Sequence, residues 1–171
     1  GCVCWYEFAN LVERPYLQQP MSPKLAPFIR FFHQRRDLLR AATVVADVAV
    51  LRSFPSQVFG APKHAQATYA VEQALIDHCV PFQIIYDHQL GDLRRYRTLV
   101  LAGCAALSDG QVEQIGQYVR SGGQVCAIGL AATHDQWFVP RERPALDDLP
   151  AHQIVRASER DDPLAAIRQA C

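Results

Sequence analysis

The sequence predicts an α/β fold, a doubly wound parallel sheet with helices on both faces, and three observations predict it. Four apolar runs of about five residues, 47–51, 82–86, 98–102 and 124–128, lack the alternation of a half-exposed strand and suit strands buried on both faces. Between the third and fourth runs lies a well-punctuated helix. Ser108 and Gln111 have capping-box spacing, Val112, Ile115 and Val119 form one apolar stripe, and Gly122 and Gly123 supply a stop. Each run is also separated from the next by a helical segment, so the strands pair parallel through right-handed crossovers.

In chain order, residues 1–8 are rich in strand formers and read as a strand without a hairpin partner. Pro15, Pro20, Pro23 and Pro27 then rule out a regular helix before position 27. Phe28, Ile29, Phe31, Phe32, Leu38 and Leu39, interleaved with arginines, predict one amphipathic helix over 27–40. The first strand of the sheet is 47–51, and residues 52–63, with Pro55, Gly60 and Pro62, read as a long loop at its carboxyl end. A helix over 64–79 carries Ala67, Val71, Ala74, Leu75 and His78 on one face, and Pro81 ends it before the strand at 82–86. One or two helical turns around Leu90, Leu93 and Tyr96 lead into the strand at 98–102. Beyond Gly129 a long loop over 131–150 precedes one more short strand at 152–157 and an amphipathic helix from Pro163. The expected strand order is 2-1-3-4, a flavodoxin-like arrangement. Ligand chemistry in such a sheet belongs beyond the carboxyl ends of the first and third strands, near Arg52, Ser53, Gly103 and Cys104.

Composition narrows the function. The 171 residues are 50% hydrophobic, enough for one domain with an appendage. Lys plus Arg, 17, equals Asp plus Glu, 17, so there is no long-range positive field for nucleic acid or an anionic membrane. No apolar run reaches the roughly 20 residues of a membrane span. The six cysteines include no C-x-x-C pair and read as small core residues in a reducing, cytoplasmic setting. No phosphate-cradling glycine motif is present, and neither Cys2 with Cys4 nor His134 with Asp135 has the further ligands a metal site needs, so no cofactor or metal is expected.

The runs Ala-Asp-Val-Ala-Val-Leu-Arg-Ser (46–53), Tyr-Arg-Thr-Leu-Val-Leu (96–101), Leu-Ser-Asp-Gly-Gln (107–111), Tyr-Val-Arg-Ser-Gly-Gly-Gln (118–124) and Ala-Ile-Gly (127–129) together resemble the trimerisation domain of family 42 β-galactosidases and related glycoside hydrolases. That domain has the class I glutamine amidotransferase-like fold, which agrees with the sheet derived above. The resemblance covers about 46–149. It implies that residues 46–171 form an amidotransferase-like trimerisation domain truncated at its C-terminus, and that residues 1–45 are the end of a (β/α)8 catalytic barrel, its last strand and helix. The two catalytic glutamates of a retaining glycosidase would then lie on earlier strands, outside this chain. Trp5 becomes a candidate for stacking on a sugar, and Glu7 for contacting a sugar hydroxyl. The wider superfamily carries its nucleophilic cysteine in a pattern like Ala-Ile-Cys-x-Gly. Laid on Ala127-Ile128-Gly129-Leu130-Ala131, that pattern puts Gly129 where the thiol would be, so this fragment is expected to be inactive and to serve self-association, as a trimer on the family pattern.

Two other functions fit the residues. A small-molecule-binding or amidotransferase-like enzyme could use Cys104, which follows a strand and precedes a capped helix. A stand-alone interaction module is the other.

Overall fold

The computed structural model describes residues 26–171. The chain divides into two compact units, Gly1–Val44 and Val45–Cys171. In the described part of the first, α1 (Ala26–Gln34) and α2 (Arg36–Leu39) replace the single helix expected over 27–40. The break falls at Arg35, whose φ of −107° and ψ of 10° leave the helical region; its side chain turns back over the Phe31 ring at 3.9 Å and bonds the Phe31 carbonyl. The expected strand at 1–8, with Trp5 and Glu7, lies outside the described residues.

The second unit contains β1 (Val48–Arg52), α3 (Phe54–Gly60), α4 (Lys63–Asp77), β2 (Phe82–Tyr86), a kinked 3-10 segment (Asp87–Arg95), β3 (Thr98–Ala102), α5 (Asp109–Arg120), β4 (Gln124–Ile128), β5 (Ile154–Ala157) and α6 (Pro163–Ala170). All five strands are parallel, in the order β2-β1-β3-β4-β5, so the winding reverses between β1 and β3 as expected. Alternate strand residues serve two cores. Ala49, Leu51, Leu99, Leu101, Val125 and Ala127 face α5 and the 3-10 segment through Leu90, Leu93, Ile115 and Val119. Val48, Val50, Val100, Cys126 and Ile128 face α4 and α6 through Val71, Leu75, Leu164 and Ile167. The strands read as unbroken apolar runs because both faces are covered.

The capping box at α5 forms as the sequence predicts: Ser108 Oγ accepts from Gln111 N, and Gln111 Oε1 accepts from Ser108 N. Gly122 closes the helix in the left-handed region, φ +100°, which a side chain would resist.

Three expectations are corrected. Residues 52–63 are not a loop throughout: Ser53 caps α3, and Pro55 sits in its first turn, where a missing N–H costs nothing. The buried face of α4 runs through His64, Thr68, Val71, Glu72 and Leu75, so it is rotated from the predicted one and leaves His78 exposed. Apolar periodicity could not find it because three of its five residues are polar: Glu72 and His64 turn inward to Arg52 and to the end of β3, and Thr68 bonds carbonyls of its own helix. Cys79, taken as a core thiol, is exposed at a positive φ just past α4, and Cys171 is exposed as well.

Candidate functional site

The reversal point between β1 and β3 is where a ligand crevice would open, and here the chain fills it with its own polar groups. Ser53 and Ser56, both buried, donate from Oγ to the Ala106 carbonyl at 3.0 Å, and Ser56 Oγ accepts from Ala106 N at 2.9 Å. Asp87 completes the seal from the end of β2. Its Oδ2 accepts from Phe54 N at 2.7 Å and its Oδ1 from Gln111 Nε2 at 2.8 Å, tying α3 to the start of α5. Cys104 lies beneath this lid, fully buried, its Sγ directed to the Leu51 and Ala102 carbonyls. Burial pushes its thiol up to about 12, so it stays protonated and is no nucleophile near neutral pH. The Cys104 enzyme reading loses its basis. Cys126, buried in β4, is likewise pushed up to about 12.

On the α4 side, His64 is buried near the first turn of its helix. Its Nδ1–H donates to the Ala102 and Gly103 carbonyls at 3.1 and 3.2 Å, which leaves Nε2 as a bare, buried lone pair without a partner. Desolvation lowers the His64 pKa below that of a free imidazole. An unfolded His64 takes up its proton near about pH 6.5, whereas the folded one does so only at lower pH. The contribution is therefore complete above about pH 6.5 and is lost as pH falls from there towards the folded-state value. Urea midpoints measured from pH 8 to pH 5 should decline more steeply in the native chain than in His64→Gln; equal slopes would contradict this.

The position matched to the superfamily nucleophile is Gly129, directly after β4. It holds φ +72° and donates its N–H to the Ala157 carbonyl at 2.9 Å. A left-handed turn therefore follows β4 without a reactive side chain. A Cβ at this position would come within 2.8 Å of Glu159 Cγ and Oε1, so the glutamate of the following turn covers the space a nucleophile needs. Gly129 lines a shallow, open depression of about 770 Å³ with Leu130, Arg156, Ser158, Glu159 and Arg160, and a smaller cavity of about 210 Å³ lies beside it between Lys63, Gln66, Ile128, Glu159 and Asp161; neither has a histidine in its wall. Gly129→Cys is expected to cost about 1–2 kcal/mol, the penalty of a left-handed non-glycine residue, and to confer no turnover of a γ-glutamyl anilide. Turnover would contradict the reading of this edge as catalytically empty.

The same edge has a structured outer surface within the stretch 131–150, where the sequence predicts a loop. Residues 134–140 form a tight, well-bonded turn. Asp135 Oδ1 accepts from Trp137 N and Val139 N, Asp135 N donates to Val139 O, and the His134 ring stacks on Phe138 at 4.3 Å. Arg141 pins the base by donating to the Leu107 carbonyl and pairing with Asp109 at 2.7 Å. Here His134 and Asp135 organise a turn; among the described residues no three His, Cys, Asp or Glu side chains gather as a metal site. Phe138 packs on Phe59 of α3, and the turn presents Trp137 at 71% and Val139 at 57% exposure beside Phe59 at 48%. The turn thus holds large apolar side chains out in water, next to Phe59 of α3. The signal available in the sequence was the Trp137-Phe138-Val139 run between polar residues.

No helix among the described residues is long and apolar enough to cross a membrane. No family model matches the sequence, and no curated protein matches it. Solved structures do. An exo-carrageenase GH42 from Bacteroides ovatus superposes over 80% of this chain and 19% of its own, with TM-score 0.61 and 11% identity. A beta-galactosidase from Bacillus circulans sp. alkalophilus matches over 68% of this chain and 18% of its own, with TM-score 0.55 and 17% identity. The beta-galactosidase from the psychrophilic Marinomonas ef1 matches over 90% and 23%, with TM-score 0.52 and 15% identity. The chain spans less than half the length of the solved structures it resembles. At these identities the likeness is one of fold: the chain carries a five-stranded parallel α/β fold that also occurs in solved β-galactosidases and a GH42 exo-carrageenase.

Proposed function

We propose that this chain is the C-terminal portion of a glycoside hydrolase of the β-galactosidase type, and that its α/β unit is a non-catalytic self-association module of the amidotransferase-like, trimerising kind. The observation that carries the reading is the state of the sheet's carboxyl edge. The reversal-point crevice is closed by Ser53, Ser56 and Asp87, the elbow is Gly129 under Glu159, and the outer surface is a bonded turn offering Trp137 and Val139 beside Phe59. An edge without an accessible nucleophile but with a rigid apolar surface suits binding to protein better than turnover. In this reading residues 1–45 complete a (β/α)8 barrel, with Trp5 and Glu7 near the sugar and the catalytic glutamates on strands outside this chain. The buried, protonated thiols of Cys104 and Cys126 suit a cytoplasmic protein.

Sedimentation equilibrium of the chain tests this. The expected mass is three times that of one chain, with Phe59→Ser/Trp137→Ser falling to the monomer mass because both side chains are exposed and can be changed without opening the core. A native chain that stays monomeric, or a variant that assembles unchanged, would remove the proposal.

A further inference from the structure

At the same carboxyl edge, but on the α4 face of the sheet and beside edge strand β2, a second constellation shares no residue with the assembly surface. Arg52 and Tyr86 close β1 and β2 and are register partners, so their side chains leave the sheet on the same face. Arg52 is held by Glu72 of α4 in a two-pronged pair, Nε to Oε1 at 2.9 Å and Nη2 to Oε2 at 2.6 Å, and its guanidinium lies 5.3 Å from the centre of the Tyr69 ring. On the edge strand, Tyr86 lies nearly parallel to the His88 ring, 3° between planes and 6.3 Å between centres. Tyr69 is 58% exposed and Tyr86 48%, while Glu72 is buried. Two open aromatic rings therefore accompany a fixed, partly buried ion pair.

The chemistry of this patch selects its ligand. The charge of Arg52 is already matched by Glu72, so an anion finds no net attraction. An apolar ligand would cover the free Nη1 protons and the remaining carboxylate lone pairs without bonding them, at the cost of desolvating them. A ligand with an apolar face for the tyrosine rings and a rim of uncharged donors and acceptors for Arg52 and Glu72 satisfies both. We propose that Tyr69, Tyr86, Arg52 and Glu72 form a surface site for a neutral pyranose ring, which stacks on the tyrosines while its hydroxyl groups bond the ion pair.

Lactose titrated into the full chain, followed by saturation-transfer NMR and by amide shifts, tests this. Binding in the millimolar range is expected, with shifts around residues 52, 69, 72 and 86, and Tyr69→Ala or Tyr86→Ala should each weaken it about fivefold to tenfold, the effect of removing a stacking partner. Both tyrosines are exposed, so circular dichroism and urea midpoints of the variants should match the native chain. Lactose shifts elsewhere, unchanged binding in both variants, or glucuronate binding as well as lactose would overturn the site. So would variants that instead alter the sedimentation mass, since the patch would then be a protein contact. The titration reads sugar and the equilibrium run reads assembly, so either proposal can fail without the other.

Discussion

Gly123→Ala is expected to destabilise the fold by about 3 kcal/mol, at the upper end for overpacking. The reason is local and severe. A Cβ on Gly123 would lie 2.2 Å from Tyr118 Cζ and within 2.5 Å of both Cε atoms. The ring cannot yield cheaply. Tyr118 is buried, and its hydroxyl donates to the Tyr96 and Gln124 carbonyls, which join α5 to the starts of β3 and β4. Burial also pushes the Tyr118 hydroxyl up to about 12, so it keeps its donor proton near neutral pH. Urea denaturation should show the loss, and a double-mutant cycle assigns it: in a Tyr118→Ala background the same glycine substitution should cost almost nothing. Equal costs in both backgrounds would place the strain elsewhere.

Glu72→Ala is expected to cost about 3 kcal/mol, because it strands the partly buried Arg52 guanidinium without its bidentate acceptor. The pair is not buried deeply enough for the upper end of that range, since the Arg52 and Glu72 side chains keep 23% and 11% exposure. The hydrogen bond to Glu72 that raises the Arg52 pKa is lost in this variant, yet a guanidinium is basic enough to stay charged without it, so the arginine cannot escape by losing its proton. Replacing both partners together, Arg52→Met with Glu72→Leu, should recover most of the loss, as apolar groups of similar volume remove the unpaired charge. A double variant as unstable as Glu72→Ala alone would show that the cost arises from packing.

Most of the sheet was legible because the signals that make it are local. Runs such as Thr98–Ala102 and Gln124–Ile128 are buried on both faces and carry no polar interruption, and the Ser108 and Gln111 cap acts within four residues. What the sequence hid depends on distant partners. Helix α3 was obscured by Pro55 and Gly60, although Ser53 and Pro55 are start signals, because its seat is provided by Ala106 more than 50 positions away. The inward face of α4 was misplaced because Glu72 is buried by Arg52, and His64 by the end of β3. The glycine after β4 is plain in the sequence, but the Glu159 that covers it, some 30 positions on, is not. Likewise, Trp137 and Val139 sat in a stretch read only as a loop, since the Asp135 turn that fixes them outward is a matter of backbone geometry.

The claim that this α/β unit works by assembly is tested most directly by hydroxyl-radical footprinting across a concentration series. The account predicts that oxidation of Trp137 and Phe59 falls as the chain is taken from nanomolar to tens of micromolar, while that of Tyr69, equally open but outside the proposed contact, stays constant. Trp137 oxidised at the same rate throughout, in a sample shown to be folded, would contradict it.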